Sequence, residues 1–166
     1  MTRPSFIVSP DDVPETTHRY PDSTESMAPS RALGVAAGLV KIGLHLQRLP
    51  PGTRTSFPHA ESAEEEFVYV LSGEVDVWLD GVLHRVRAGE LVGFPSGTGI
   101  SHTVLNDGPH EATLLVGGER TKPENRIVYP LNPERRPQLP PGEWWDDAPS
   151  APLGPHDGKP AAVRGR

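Results

Sequence analysis

The chain of 166 residues has no cysteine. Disulfide frameworks and thiolate metal sites are therefore excluded, and any bound metal must be held by imidazole and carboxylate. No apolar run approaches the ~20 residues of a membrane-spanning helix. The opening MTRPSFIVSPDDVPE lacks the apolar stretch of a secretory leader, so the cytoplasm is the expected compartment and no membrane partner is expected. Basic charge is also scarce. Lys and Arg number 16 against 22 Asp and Glu, a net charge of −6, which argues against nucleic acid as a partner. Arg164 and Arg166 are two terminal arginines, not a polybasic patch. The GTG before Ser101 has no P-loop lysine. Ser72, Ser96 and Ser101 lack a nucleophile-elbow context.

What is abundant is proline, 20 residues, and glycine, 17. Short β-rich runs punctuated by these residues predict an all-β fold. The prolines cluster before residue 30 and after residue 122, so irregular segments flank a folded centre. The expected layout is an N-terminal arm over 1–32, a barrel over 33–129 and a Pro-rich C-terminal arm over 130–166. In the first arm only Phe6-Ile7-Val8 reads as a strand, at an edge, and no helix is expected there. Residues 39–49 alternate Ile42, Leu44 and Leu46 against Gly43, His45 and Gln47, a strand period. That pattern favours His45 as a solvated residue of the polar face, with an inward, functional His45 as the alternative. Further strands are expected in FVYVLSG, EVDVWLD, VLHRVRA, LVGFP, TVLN, EATLLVGGE and IVY. Asp80-Gly81 signals a two-residue hairpin. Trp144 and Trp145 predict that the second arm docks, with a helical turn at 142–147.

The chemistry concentrates in PHAESAEEEFVYVLSG, residues 58–73. His59 and Glu61, one residue apart, share a face of any strand. In the next run Glu66 shares a face with Val68 and Val70, whereas Glu64 and Glu65 read as a solvated turn. A hairpin joining the two runs would bring three ligand-type side chains together. PSGTGISHTVLN offers a fourth, His102. Trp78 and Phe94 are candidate pocket aromatics, one of His84 and Arg85 is a candidate pocket residue, and Asn106 reads as a turn support.

These two stretches resemble the paired motifs of the cupin superfamily. Gly52, Pro58, His59, Glu66 and Gly73 match the first motif, with Glu61 where a second histidine usually stands. Gly89, Pro95, Gly97, His102 and Asn106 match the second. The resemblance implies a double-stranded β-helix, the cupin jelly-roll barrel, usually a homodimer, with one divalent metal ion (Zn, Fe, Mn or Ni) at its mouth. His59, Glu61, Glu66 and His102 are the expected ligands. If Glu61 does not ligate, it is the expected acid/base, and the other three form a two-His-one-carboxylate set. The implied function is metal-assisted chemistry on a small polar organic molecule, of isomerase, lyase or Fe-dependent dioxygenase type. The alternative is a non-catalytic small-molecule-binding or sensor cupin.

Overall fold

The computed structural model describes residues 3–120 and 122–164; Arg166 lies outside them. Eleven strands follow in order: β1 Glu15–Thr16, β2 Ser30–Arg31, β3 Ile42–Leu49, β4 Ala60–Glu61, β5 Glu66–Ser72, β6 Glu74–Leu79, β7 Val82–Arg87, β8 Leu91–Phe94, β9 His102–Leu105, β10 Ala112–Glu119 and β11 Ile127–Val128. A single helical turn, α1 (Leu33–Ala36), precedes β3 and packs on it. All strand pairings are antiparallel. They form a six-stranded sheet of order β1-β2-β3-β10-β5-β8, a three-stranded sheet of order β7-β6-β9 and a two-stranded β11-β4 ribbon. The segment before residue 33 thus contributes β1 and β2 to the large sheet.

Alternation builds the core. Val68 and Val70 of β5, Leu114 of β10 and Leu49 of β3 pack against Val75 and Val77 of β6 and Val104 of β9, each no more than 4 % exposed. Residues from both larger sheets meet in this one cluster, so the sheets face each other with their apolar sides inward. Burying such side chains stabilises the fold by roughly 1.5–3 kcal/mol each. The sheets are not hydrogen-bonded into a closed barrel.

The Asp80-Gly81 hairpin forms as the sequence predicts. Leu79 pairs with Val82, and both turn residues have positive φ, 44° and 91°, the backbone of a type I′ turn. Three other expectations are corrected. Phe6–Val8 joins no sheet, and Phe6 is exposed; the run has no neighbouring strand on which to lay its side chains. Residues 142–147 form turns rather than a helical turn. Ile127 there donates to the Glu143 carbonyl and Trp145 to the Ile127 carbonyl; the 3-10 turn falls at Pro133–Gln138 instead. β4 and β5 do not pair as a hairpin: β4 pairs with β11, and β5 lies between β10 and β8.

The C-terminal arm docks on its own domain. Gly154 and His156 donate backbone N–H groups to the Asp80 and Gly81 carbonyls, and Trp78 Nε1 donates to the His156 carbonyl at 2.7 Å. Trp78 is therefore fully buried on the outer face of β6, under the arm, and does not reach the cavity. His84 and Arg85 also lie outside the cavity lining. Arg85 is paired with Asp76 and Glu74. No helix among the described residues is long and apolar enough to cross a membrane.

Candidate metal centre

The loop from Gly52 to His59 runs antiparallel to β9 and is stitched to it. Asn106 donates to the Thr53 carbonyl, Thr55 to Val104, and Thr103 Oγ1 to Ser56. The pairing ends on His59 and His102, which exchange both backbone hydrogen bonds, at 3.2 and 2.8 Å. Side chains of directly opposed residues share a face, and the two imidazole centroids stand 4.7 Å apart. Asn106 holds the far end of β9, with Nδ2 donating to the Leu49 and His110 carbonyls.

Glu66, the first residue of β5, supplies the third side chain. Its Oε2 lies 3.0 Å from His102 Nε2 and 3.3 Å from His59 Nε2. One ligand atom each from His59, Glu66 and His102 falls within 4.8 Å of the others. Two imidazole nitrogens and a carboxylate oxygen suit Zn, Fe, Mn or Ni. His59 Nδ1 sits 2.8 Å from the Phe57 carbonyl. Donation there fixes the tautomer that turns the Nε2 lone pair toward the cluster, as outer-sphere carbonyls do for metal-binding histidines. Phe94 stacks on the His102 ring with centroids 3.7 Å apart and planes 4° from parallel, which sets that ring's orientation.

Without a cation the cluster is arranged as an ion pair. Burial alone would raise the Glu66 carboxyl, yet hydrogen bonds from both imidazoles outweigh it and hold the carboxyl well below the usual range. Burial works against a charged His59, but the Glu66 hydrogen bond and charge prevail and raise it. His102 is lowered, chiefly by burial. Glu61, on the same side of its strand as His59, is not one of the three clustered residues and does not line the cavity. Its Oε2 is buried with no hydrogen-bond partner, and burial and the charge of Glu66 push it up to about 7.

The triad opens on a cavity of about 180 Å³ between the sheets, walled by Val68, Phe94, Val104 and Val116. Phe94 is the expected pocket aromatic. The wall contributed by β3 follows the alternative reading of His45 rather than the favoured one: His45 and Gln47 face the cavity, and Leu44 and Leu46 the other way. Leu49 was the available signal. It is fully buried and in phase with His45 and Gln47, whereas Leu44 and Leu46 fall on the side where α1 packs.

Comparison with known proteins agrees with this geometry. The family model of the cupin domain matches residues 45–118. Protein SchB of Streptomyces halstedii is 35% identical over 109 residues, covering 66% of this chain and 73% of that one. A sugar phosphate isomerase of the cupin superfamily from Silicibacter pomeroyi superposes with a TM-score of 0.67 at 30% identity, over 74% of this chain and 80% of that one. The polyketide cyclase RemF of Streptomyces resistomycificus superposes with a TM-score of 0.61 at 25% identity, over 84% and 94% of the two chains. The chain belongs to the cupin superfamily.

Proposed function

We propose that the protein is a metal-dependent cupin enzyme that moves a proton on a small carbonyl compound, as an isomerase or a cyclase, within a complete jelly roll that pairs as a homodimer. The observation that carries this reading is the convergence of His59 Nε2, His102 Nε2 and a Glu66 oxygen at the wall of an apolar cavity. His59, Glu66 and His102 would hold the ion. The unpartnered Glu61 oxygen, beside a second carboxylate, fits an adjacent cation that would favour its charged form. Glu61 is shielded from the cavity, so we assign it to the ion's side of the site rather than to direct contact with substrate. A divalent ion bound there supplies Lewis acidity to a carbonyl oxygen. Two of the three proteins named above are a sugar phosphate isomerase and a polyketide cyclase, and an enolate formed next to a carbonyl would serve either kind of reaction.

The lining bears on the substrate. Among the described residues no Lys or Arg contributes to the cavity wall; Arg120, at an adjoining outer opening, is exposed. A phosphate dianion beside the triad would have no fixed counter-charge of its own, whereas Val68, Phe94, Val104 and Val116 suit a hydrocarbon frame. This favours a neutral ketone over a sugar phosphate.

The test combines elemental analysis with proton NMR in D2O, following exchange of the α-protons of β-tetralone and of dihydroxyacetone phosphate. The expected result is a single equivalent of a divalent metal and accelerated exchange of β-tetralone, both abolished by chelation and in His102→Ala. Faster exchange of the phosphate ester would move the substrate class to sugar phosphates. Iron as the resident ion would turn the reading toward O₂ chemistry. Metal loading with no exchange of either ketone would replace the enzyme by a binding or sensor cupin.

A further inference from the structure

We propose that His45, on the wall of the cavity contributed by β3, is the catalytic residue that takes up and returns the substrate's α-proton. The inference rests on the carbonyl-chemistry reading above and names the group that does its proton transfer.

Elimination points to His45 first. The titratable side chains lining the cavity are His45, His59, Glu66 and His102. The last three form the metal-ligand cluster, and their nitrogens and oxygen are turned toward one another. The remaining polar lining is hydroxyl or amide, from Ser30, Gln47, Thr55 and Ser56. These groups hydrogen-bond but are poor bases at neutral pH. Gln47 is tied through Nε2 to the Ala28 carbonyl. His45 makes no side-chain hydrogen bond among the described residues, so a ring nitrogen is free to meet a ligand.

Position comes second. His45 pairs with Val116, and Val116 with Val68, two residues beyond Glu66 on the same face of β5. Two strand spacings, roughly 10 Å, separate His45 from Val68, and Glu66 stands two residues, roughly 7 Å, further along β5, so His45 lies diagonally across the sheet from the triad. That is room for a small organic molecule with its oxygen toward the triad and a C–H bond toward His45. The row beside His45 is Gly43, Gly118 and Glu66; its glycines carry no side chain of their own, and the Arg120 stem lies over Gly43, its Cγ 3.4 Å from where a Cβ would stand. A Cβ on Gly118 would lie 2.8 Å from the Glu65 carbonyl oxygen, so that gap is fixed by close backbone packing. Burial, with Arg120 nearby, lowers the His45 ring from its ordinary range, which keeps it neutral and able to accept a proton.

The step balances within the substrate and the ring. A neutral His45 nitrogen accepts the α-proton, the C–H electron pair becomes the C=C bond of the enolate, and the carbonyl π pair moves to oxygen. Reversal returns a proton, or in D2O a deuteron, to carbon and regenerates the neutral ring.

The experiment is α-proton exchange of β-tetralone by the metal-loaded wild type, His45→Ala and His45→Gln, with metal content and thermal melting measured on the same samples. Removal of a general base predicts a fall in kcat of about 10²–10⁴-fold with KM and metal content unchanged. Free imidazole should restore exchange in His45→Ala, whose cavity can admit it, and not in His45→Gln. His45→Gln, which keeps bulk and polarity, guards against misfolding as the cause. Exchange by His45→Ala within about twofold of wild type, far below the loss a general base should give, would overturn the role of His45 and leave the carbonyl-chemistry reading standing. So would a loss that imidazole does not rescue. A metal-loaded wild type that exchanges nothing would overturn both.

Discussion

His59 and His102 are cross-strand partners: each donates its backbone N–H to the other's carbonyl, and their imidazoles lie 4.7 Å apart on one face. The spacing of the two imidazoles that could hold a metal is therefore set by backbone hydrogen bonds. Replacing either imidazole by Ala should leave the pairing and remove a donor. Even outer-sphere partners of metal ligands are worth 10–100-fold in affinity, so we expect His59→Ala and His102→Ala to lose more than ~100-fold. Competition titration against a chromogenic chelator measures this. Circular dichroism should show the β fold intact.

The same geometry predicts how metal binding depends on pH. In the metal-free protein His59 is raised by Glu66, and Glu66 is lowered by both imidazoles. The stability His59 gains from the pair is fully present below its unfolded pKa and is lost as pH rises through its raised folded value. The contribution of Glu66 is present above its unfolded pKa and is lost as pH falls through its lowered one. A metal must displace the His59 proton, so affinity runs the other way. Below the folded pKa of His59 it should fall about tenfold per pH unit. The rise in melting temperature on adding metal should therefore grow with pH. Calorimetric melts with and without metal across neutral pH check the sign; a metal-induced gain that shrinks with pH would contradict the pairing.

The convergence of His59, Glu66 and His102 could be read from the sequence because its information is local and phased. Glu66 shares a face with Val68 and Val70, and His102 opens the strand HTVL. The hairpin at Asp80-Gly81 was legible for the same reason, since one dipeptide carries the backbone requirement. Long-range pairing was not. Nothing local says that Ala60–Glu61 pairs with Ile127–Val128 across more than sixty residues rather than with the strand that follows. Alternation also fails where both faces of a strand are covered. From Val75 to Trp78, β6 is buried on both faces, because the C-terminal arm covers its outer side. Trp78 looked like a pocket aromatic and is instead the arm's anchor. His45 was misread by the converse error: Ile42, Leu44 and Leu46 suggested the core face, but the cavity lies on the side of His45, Gln47 and Leu49.

Trp78 therefore makes a prediction about the arm and not about the site. Trp78→Phe keeps most of the buried ring but leaves the His156 carbonyl without its 2.7 Å donor. An unsatisfied buried acceptor costs about 1–3 kcal/mol. We expect that loss in denaturant melts, faster proteolysis between residues 150 and 164, and unchanged metal content. A fall in metal content would mean that the arm supports the triad as well.

Arg54 ties three parts of the chain together and should act on the site from a distance. It is 1 % exposed, pairs through two nitrogens with Glu25 at 2.8 and 2.6 Å, donates to the Gly158 carbonyl at 2.8 Å and lies over the Phe57 ring. Phe57 in turn supplies the carbonyl that orients His59. Removing one member of a buried pair leaves the other charge uncompensated and costs about 3–5 kcal/mol; Glu25 retains some exposure, so Arg54→Ala should fall at the lower end. Arg54→Lys keeps the charge but loses the two-nitrogen fork and the spread of donors to Gly158, and it should not restore wild-type stability. Because the loop carrying Phe57 and His59 loses its anchor, metal affinity should drop by ~10-fold in Arg54→Ala, the scale of an outer-sphere defect. The Glu25→Gln, Arg54→Ala double variant separates the two effects. If the pair is the anchor, its stability loss will be well below the sum of the single losses, while the metal defect follows Arg54→Ala alone.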